Sequence, residues 1–94
     1  MKVYCKKHKQ PDYQIIAVCD ENILGATFGT QKISEFFYKG ELLDIQDAIN
    51  ILKNAQNFNI AGKYIVDACI DTGIINENGI IIFENIPFAM KVLI

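Results

Sequence analysis

Leu43–Ile74 reads LDIQDAINILKNAQNFNIAGKYIVDACIDTGI, and its apolar spacing predicts two amphipathic helices joined at Asn57-Phe58-Asn59 and closed by Gly73. In the first, Ile45, Ala48, Ile49, Leu52 and Ala55 recur at intervals of three and four, so they share one face, with Gln46, Asp47, Asn50, Lys53 and Asn54 opposite. One side meets a core and the other meets water. Asp44 stands where an N-cap acceptor for the backbone N–H of Asp47 is expected, and Leu43 is placed to staple onto Ala48. The second helix is expected to start with Asn57 or Asn59 as its cap. Its stripe of Ile60, Ala61, Tyr64, Ile65, Ala68 and Cys69, widened by Val66 and Ile70, makes it the more buried of the two. Gly73 suits a left-handed helix stop, with Ile74 folding back on Ala68 or Cys69.

Outward from this stretch, the 94 residues form one domain, 1–94, with no linker and a single modest core. Half of the residues are apolar, and a chain this short leaves part of its apolar surface exposed or against a partner. Cys5, Cys19 and Cys69 form no C-x-x-C, and any disulfide would leave one of them over, which fits a reducing compartment and three small core hydrophobes. No apolar run is long enough to cross a bilayer, and no export signal opens the chain, so a cytoplasmic location is expected. Net charge is −2, yet Lys2, Lys6, Lys7 and Lys9 place +4 in the first ten residues and leave −6 for the rest. All nine basic side chains are lysines, so the bidentate forks that read guanine or clamp phosphate are missing.

Ahead of the helices, Lys2–Lys7 alternates as a half-covered strand, His8-Lys9-Gln10-Pro11-Asp12 turns, and Tyr13–Cys19 follows as a central strand apolar on both faces. Asp20–Gly25 reads as one helical turn, capped by Asp20 and ended by Gly25. Ala26–Phe28 and Lys32–Phe36 read as short strands around Gly29-Thr30-Gln31. Phe36-Phe37-Tyr38 are three aromatics in a row, which no regular structure can point one way. After Gly73, Asn76-Glu77-Asn78-Gly79 is a turn ending in an Asn-Gly pair that prefers positive φ, Ile80–Phe83 is a strand, Glu84-Asn85-Ile86-Pro87 makes a second turn, and Phe88–Ile94 is a last strand with Pro87 at its start. The order β-β-β-α-α-β-β predicts an α+β fold, a small, largely antiparallel sheet with both helices on one face.

Val18-Cys19-Asp20-Glu21 running to Leu24-Gly25, Phe37-Tyr38-Lys39-Gly40-Glu41, Asn59-Ile60-Ala61-Gly62, the Gly73 stop and Ile86-Pro87-Phe88-Ala89 together resemble a known pattern. Over nearly the whole chain they are similar, in order and spacing, to the short single-domain archaeal proteins of domain-of-unknown-function family 424. The resemblance implies a compact α+β domain in an archaeal cytoplasm and lends no catalytic residue. Where the family pattern tends to place His after the proline, this chain has Phe88.

No catalytic, metal or cofactor site is expected. His8, the only histidine, sits among Lys6, Lys7 and Lys9 with Asp12 as the sole carboxylate near in sequence. Asp67 and Asp71 share a helix face with Lys63, but a hard cation needs more oxygen ligands than two carboxylates supply. Gly62-Lys63 near a helix start suggests a phosphate loop, which requires a preceding strand where a helix is expected. The remaining constellation is a basic strand beside aromatics: Lys6, Lys7, His8, Lys9, Tyr38 and Lys39 form a candidate contact surface for RNA or a ribonucleoprotein. The alternative expectation is a homodimer or protein-partner module without nucleic acid, using leftover apolar surface such as the Phe88–Ile94 edge. Neither is a membrane function.

Overall fold

The computed structural model describes residues 1–93 as a six-stranded sheet with helices on one face and a long excursion on the other. Strand β1 (Lys2–Lys9) turns back into β2 (Gln14–Asp20), the two pairing antiparallel along their whole length. Beyond β2, a 3-10 turn (Glu21–Ile23) leads to a two-strand hairpin, β3 (Thr27–Phe28) and β4 (Gln31–Lys32), and to the short helix α1 (Glu35–Tyr38). Ser34 rather than a strand residue starts α1, its hydroxyl accepting from the Phe37 N–H, so the strand expected over Lys32–Phe36 stops early. Strand β5 (Glu41–Asp44) then runs along the outer side of β1 into α2 (Ile45–Lys53).

Between the helices the structure corrects the sequence reading. Phe58–Ala61 is not the start of a helix but strand β6, parallel to β2, with Ile16 opposite Phe58 and Cys19 opposite Ala61. Its alternation serves two layers, since Phe58 and Ile60 enter the core under the helices while Ala61 enters the core on the far side. Gly62, at φ 116°, lets the chain leave the strand, and α3 (Lys63–Asp71) begins at once. Gly73, at φ 76°, ends α3 as expected: its N–H reaches the Ile70 carbonyl and the Ile74 N–H the Cys69 carbonyl, the two bonds of a Schellman stop.

The last hairpin joins β7 (Ile81–Phe83) to β8 (Ile86–Lys91). Its turn is Glu84-Asn85, both at positive φ, where a turn is expected, although β8 is already under way at Ile86; Asn78-Gly79 lies in a 3-10 turn held by the Asn76 side chain and has no positive φ. Strand β8 lies inside the sheet, between β6 and β7, so the expected Phe88–Ile94 edge is replaced by β7; Ile94 falls outside the described residues. The sheet order is β5-β1-β2-β6-β8-β7, antiparallel throughout except for the β2–β6 pair.

Both main helices pack on one face. Ala48, Ile49 and Leu52 of α2 and Ile65, Val66 and Cys69 of α3 share a core with Val3, Cys5, Ile16, Val18, Phe58 and Ile60. On the opposite face Ala17, Cys19 and Ala61 lie under Ile23, Ile33 and Tyr38 from the excursion. The fold is therefore α+β, with a mostly antiparallel sheet and two principal helices on one side of it. Among the described residues no helix is long and apolar enough to cross a membrane.

Candidate interaction surfaces

Strand alternation sends Lys6 and His8 to one face of β1 and Lys7 and Lys9 to the other. On the excursion face, Lys6 Nζ donates to the Phe36 carbonyl at 2.6 Å and His8 Nε2 lies 2.7 Å from the Phe37 carbonyl. These carbonyls stand at the end of α1, where a helix leaves acceptors without intrahelical donors. The rings follow their carbonyls, with Lys6 Nζ 4.7 Å from the centre of the Phe36 ring and His8 stacked on Phe37 at 4.8 Å and 16°. Lys7 lies on the helix face, beside a cavity of about 330 Å³ that it lines with Gln14, Ile51 and Asn54.

The three aromatics therefore have three environments. Phe36 is 81% exposed, Phe37 is half-buried, and Tyr38 is 7% exposed within the second core. Burial, with a smaller contribution from the Cys19 thiol, pushes the Tyr38 hydroxyl up to about 12. Tyr38 consequently offers no ring face to a base. Of the expected contact residues, the fold brings together Lys6 and His8 beside α1, keeps Lys39 exposed just beyond it, and separates Lys7 and Lys9 from all three.

The Gly62-Lys63 turn does follow a strand, contrary to the sequence expectation, but a carboxylate already occupies the anion position. Asp20, 1% exposed, accepts from the N–H of Tyr64 at 2.8 Å and of Ile65 at 2.9 Å through its two oxygens. A side chain at residue 62 would collide with that carboxylate, which gives a second reason for glycine there. Burial holds the Asp20 carboxyl above its ordinary value, while the two N–H donors pull it down. A bound phosphate would meet a negative charge, so the turn is structural. Asp20 does not cap the 3-10 turn that follows it, and Asp44 does not cap α2; Asp44 pairs instead with Lys2 at 3.0 Å. On α3, Lys63 pairs with Asp67 at 3.1 Å, while Asp71 stays exposed.

Burial pushes the Cys69 thiol up to about 12, and burial with the nearby Asp20 charge does the same to Cys19; Cys5 is raised by burial against the pull of Lys7. Thiols held that high are poor nucleophiles. Among the described residues no three His, Cys, Asp or Glu side chains gather in metal-binding range.

The surface that sequence reasoning did not locate is the part of the second sheet face that the excursion leaves open. The strand registers place Ile15, Asn59, Phe88, Met90, Ile81 and Phe83 on this face, with Val92 continuing the line of β8. Ile81 is 64% exposed and Met90 58%. At one end Tyr13, Ile15, Asn59, Lys91 and Val92 border a mostly apolar hollow of about 250 Å³. The signal in the sequence was the Ile80–Phe83 run, but which of its residues lie uncovered depends on where residues 21–40 fold back.

Buried thiols, an internally satisfied carboxylate and an open apolar sheet face are the features this small α+β protein presents. The chain belongs to the DUF424 family, described as proteins of unknown function, whose family model matches residues 8–94. It is similar to the crystal structure of an uncharacterized conserved protein from the archaeon Methanopyrus kandleri, with a TM-score of 0.79, 24% identity, and 96% of this chain and 90% of that chain covered. That likeness shows the shared fold. Among curated proteins none matches.

Proposed function

We propose that the protein is a non-enzymatic interaction module of an archaeal cytoplasm, which docks an apolar protein surface on the open half of its second sheet face. The observation that carries this reading is the row of exposed Ile81, Met90 and Val92 around half-buried Phe88, beside a well-packed core. Contiguous apolar surface of this kind on a folded domain marks a contact site more often than isolated exposed side chains do. The test is affinity capture from native lysate, with and without ribonuclease, using wild type and Met90→Lys. Partner retention that survives the nuclease and is lost in the variant supports docking through this face. Retention that Met90→Lys leaves unchanged overturns it.

A second reading, contact with RNA or a ribonucleoprotein, is favoured by Phe36. Its exposed ring, with the Lys6 ammonium over it and Lys39 close in sequence, is a platform on which an unpaired base can stack while lysines approach phosphate. On this reading capture is sensitive to ribonuclease, steeply weakened by salt, and abolished by Phe36→Ala.

A further inference from the structure

Among the described residues strand β7 is the last strand on one side of the sheet, and its three residues are apolar on both faces. Ile81 and Phe83 belong to the open face, but Ile82, 69% exposed, points to the helix side, opposite Pro87. A partner lying on the open face would leave Ile82 in water. A partner strand added at the edge covers all three.

The backbone defines how such a strand would bind. The two-residue Glu84-Asn85 turn makes Phe83 and Ile86 a hydrogen-bonded pair, so the next pair, Ile82 with Pro87, is a non-bonded one. Pro87 confirms the phase: it has no N–H to give, and its carbonyl accepts from the Gly62 N–H on the β6 side. The N–H and C=O of Ile82 therefore both point outward from the edge.

We infer that a second copy of this chain pairs there, β7 against β7 in antiparallel register about a two-fold axis through Ile82, joining two six-stranded sheets into one. In that register Ile82 of each copy donates to and accepts from Ile82 of the other, and Ile81 lies across from Phe83 of the other copy. The same patch satisfies itself, as a two-fold contact requires, without a complementary element on another protein. The opposite edge argues for this pairing over head-to-tail joining. Strand β5 carries Glu41 and Asp44, charges that guard an edge, whereas β7 carries none. A β5–β7 contact would also propagate into an open filament, while β7–β7 closes at two copies. With three side chains contributed by each copy, the contact falls below the standard interface of about 1,600 Å² and the dimer is concentration-dependent.

The edge shares Ile81 with the docking face, but it is read by self-association and by Ile82, which faces the helix side, so the test is separate from the capture experiment. Sedimentation of the whole chain across a concentration series is expected to show mass rising towards twice that of the monomer, and Ile82→Lys is expected to weaken self-association at least about tenfold by placing two ammonium groups side by side. Under mild oxidation Ile82→Cys is expected to form a linked dimer, since directly opposed bonded residues lie about 5.5 Å apart, within disulfide reach. Ile81→Cys is not, because its own copy is displaced along the partner strand to roughly 8 Å. A chain that stays monomeric throughout with no Ile82→Cys cross-link, or Ile81→Cys linking as readily as Ile82→Cys, overturns the inference. The capture result with Met90→Lys stands or falls independently of either outcome.

Discussion

Asp20 caps a helix that begins more than forty residues later in the chain: its carboxylate oxygens accept from the N–H of Tyr64 at 2.8 Å and of Ile65 at 2.9 Å. The relationship ties the end of β2 to the start of α3 on the two sides of the parallel strand pair. It also occupies the positive end of the helix, where an external anion would otherwise be favoured.

Removing this cap leaves the partly buried Tyr64 N–H and the buried Ile65 N–H without acceptors. Asp20→Ala is expected to destabilise the fold by about 1–3 kcal/mol, and Asp20→Asn by less because one oxygen remains. Urea unfolding followed by circular dichroism measures the difference. Gly62→Ala, which both strains a left-handed backbone and crowds the carboxylate, is expected to unfold at lower urea than wild type as well.

The same carboxylate sets a pH dependence whose sign can be worked out. Burial raises its folded pKa above the ordinary 3.8, so between those two values the folded protein holds the proton more tightly than the unfolded chain. Its contribution to stability is therefore fullest below 3.8 and is lost as pH rises through the folded value. The advantage of wild type over Asp20→Asn is expected to narrow from about pH 3 to pH 7 in paired unfolding curves. An advantage that widens over that range would mean the two N–H donors outweigh burial.

The aromatic triplet separates core from surface by mutation. Tyr38→Ala opens a cavity among Ala17, Cys19 and Ile33 and is expected to cost about 3–5 kcal/mol. Phe36→Ala, on an exposed ring, is expected to change stability by no more than about 0.5 kcal/mol. Thermal melts of the two variants test the contrast.

Cys19 and Cys69 are inaccessible and held mainly as neutral thiols, so a thiol reagent at neutral pH is expected to label them only through unfolding. Labelling rates that follow global stability across the Asp20 variants would meet the expectation. Rapid labelling of native protein would not.

Local chemistry in the sequence was a good guide where a single residue decides a backbone conformation, as at Gly73, and where periodicity runs long, as from Ile45 to Leu52. It misread Phe58–Ala61, because four apolar-rich residues fit a helical stripe as well as a strand, and only pairing with Ile16–Cys19 chooses between them. It placed the last turn, since Glu84-Asn85 joins β7 to β8 as read, but it expected positive φ at Asn78-Gly79, where the Asn76 side chain holds a 3-10 turn instead. The candidate contact residues were legible as charge and aromaticity but not as a surface. Whether Lys6 faces solvent or a carbonyl depends on α1 folding over β1, a contact between residues about thirty apart.

Strand β6 is sandwiched between one neighbour that precedes it by some forty residues and another that follows it by about thirty. During synthesis the amino-terminal hairpin can assemble early, but its inner edge has no mate until Phe58–Ala61 leaves the ribosome, and that mate stays half-bonded until Lys91 does. Refolding is therefore governed by closing these long loops, which makes the protein slower than a helical bundle of equal length and leaves no shorter fragment able to complete the sheet.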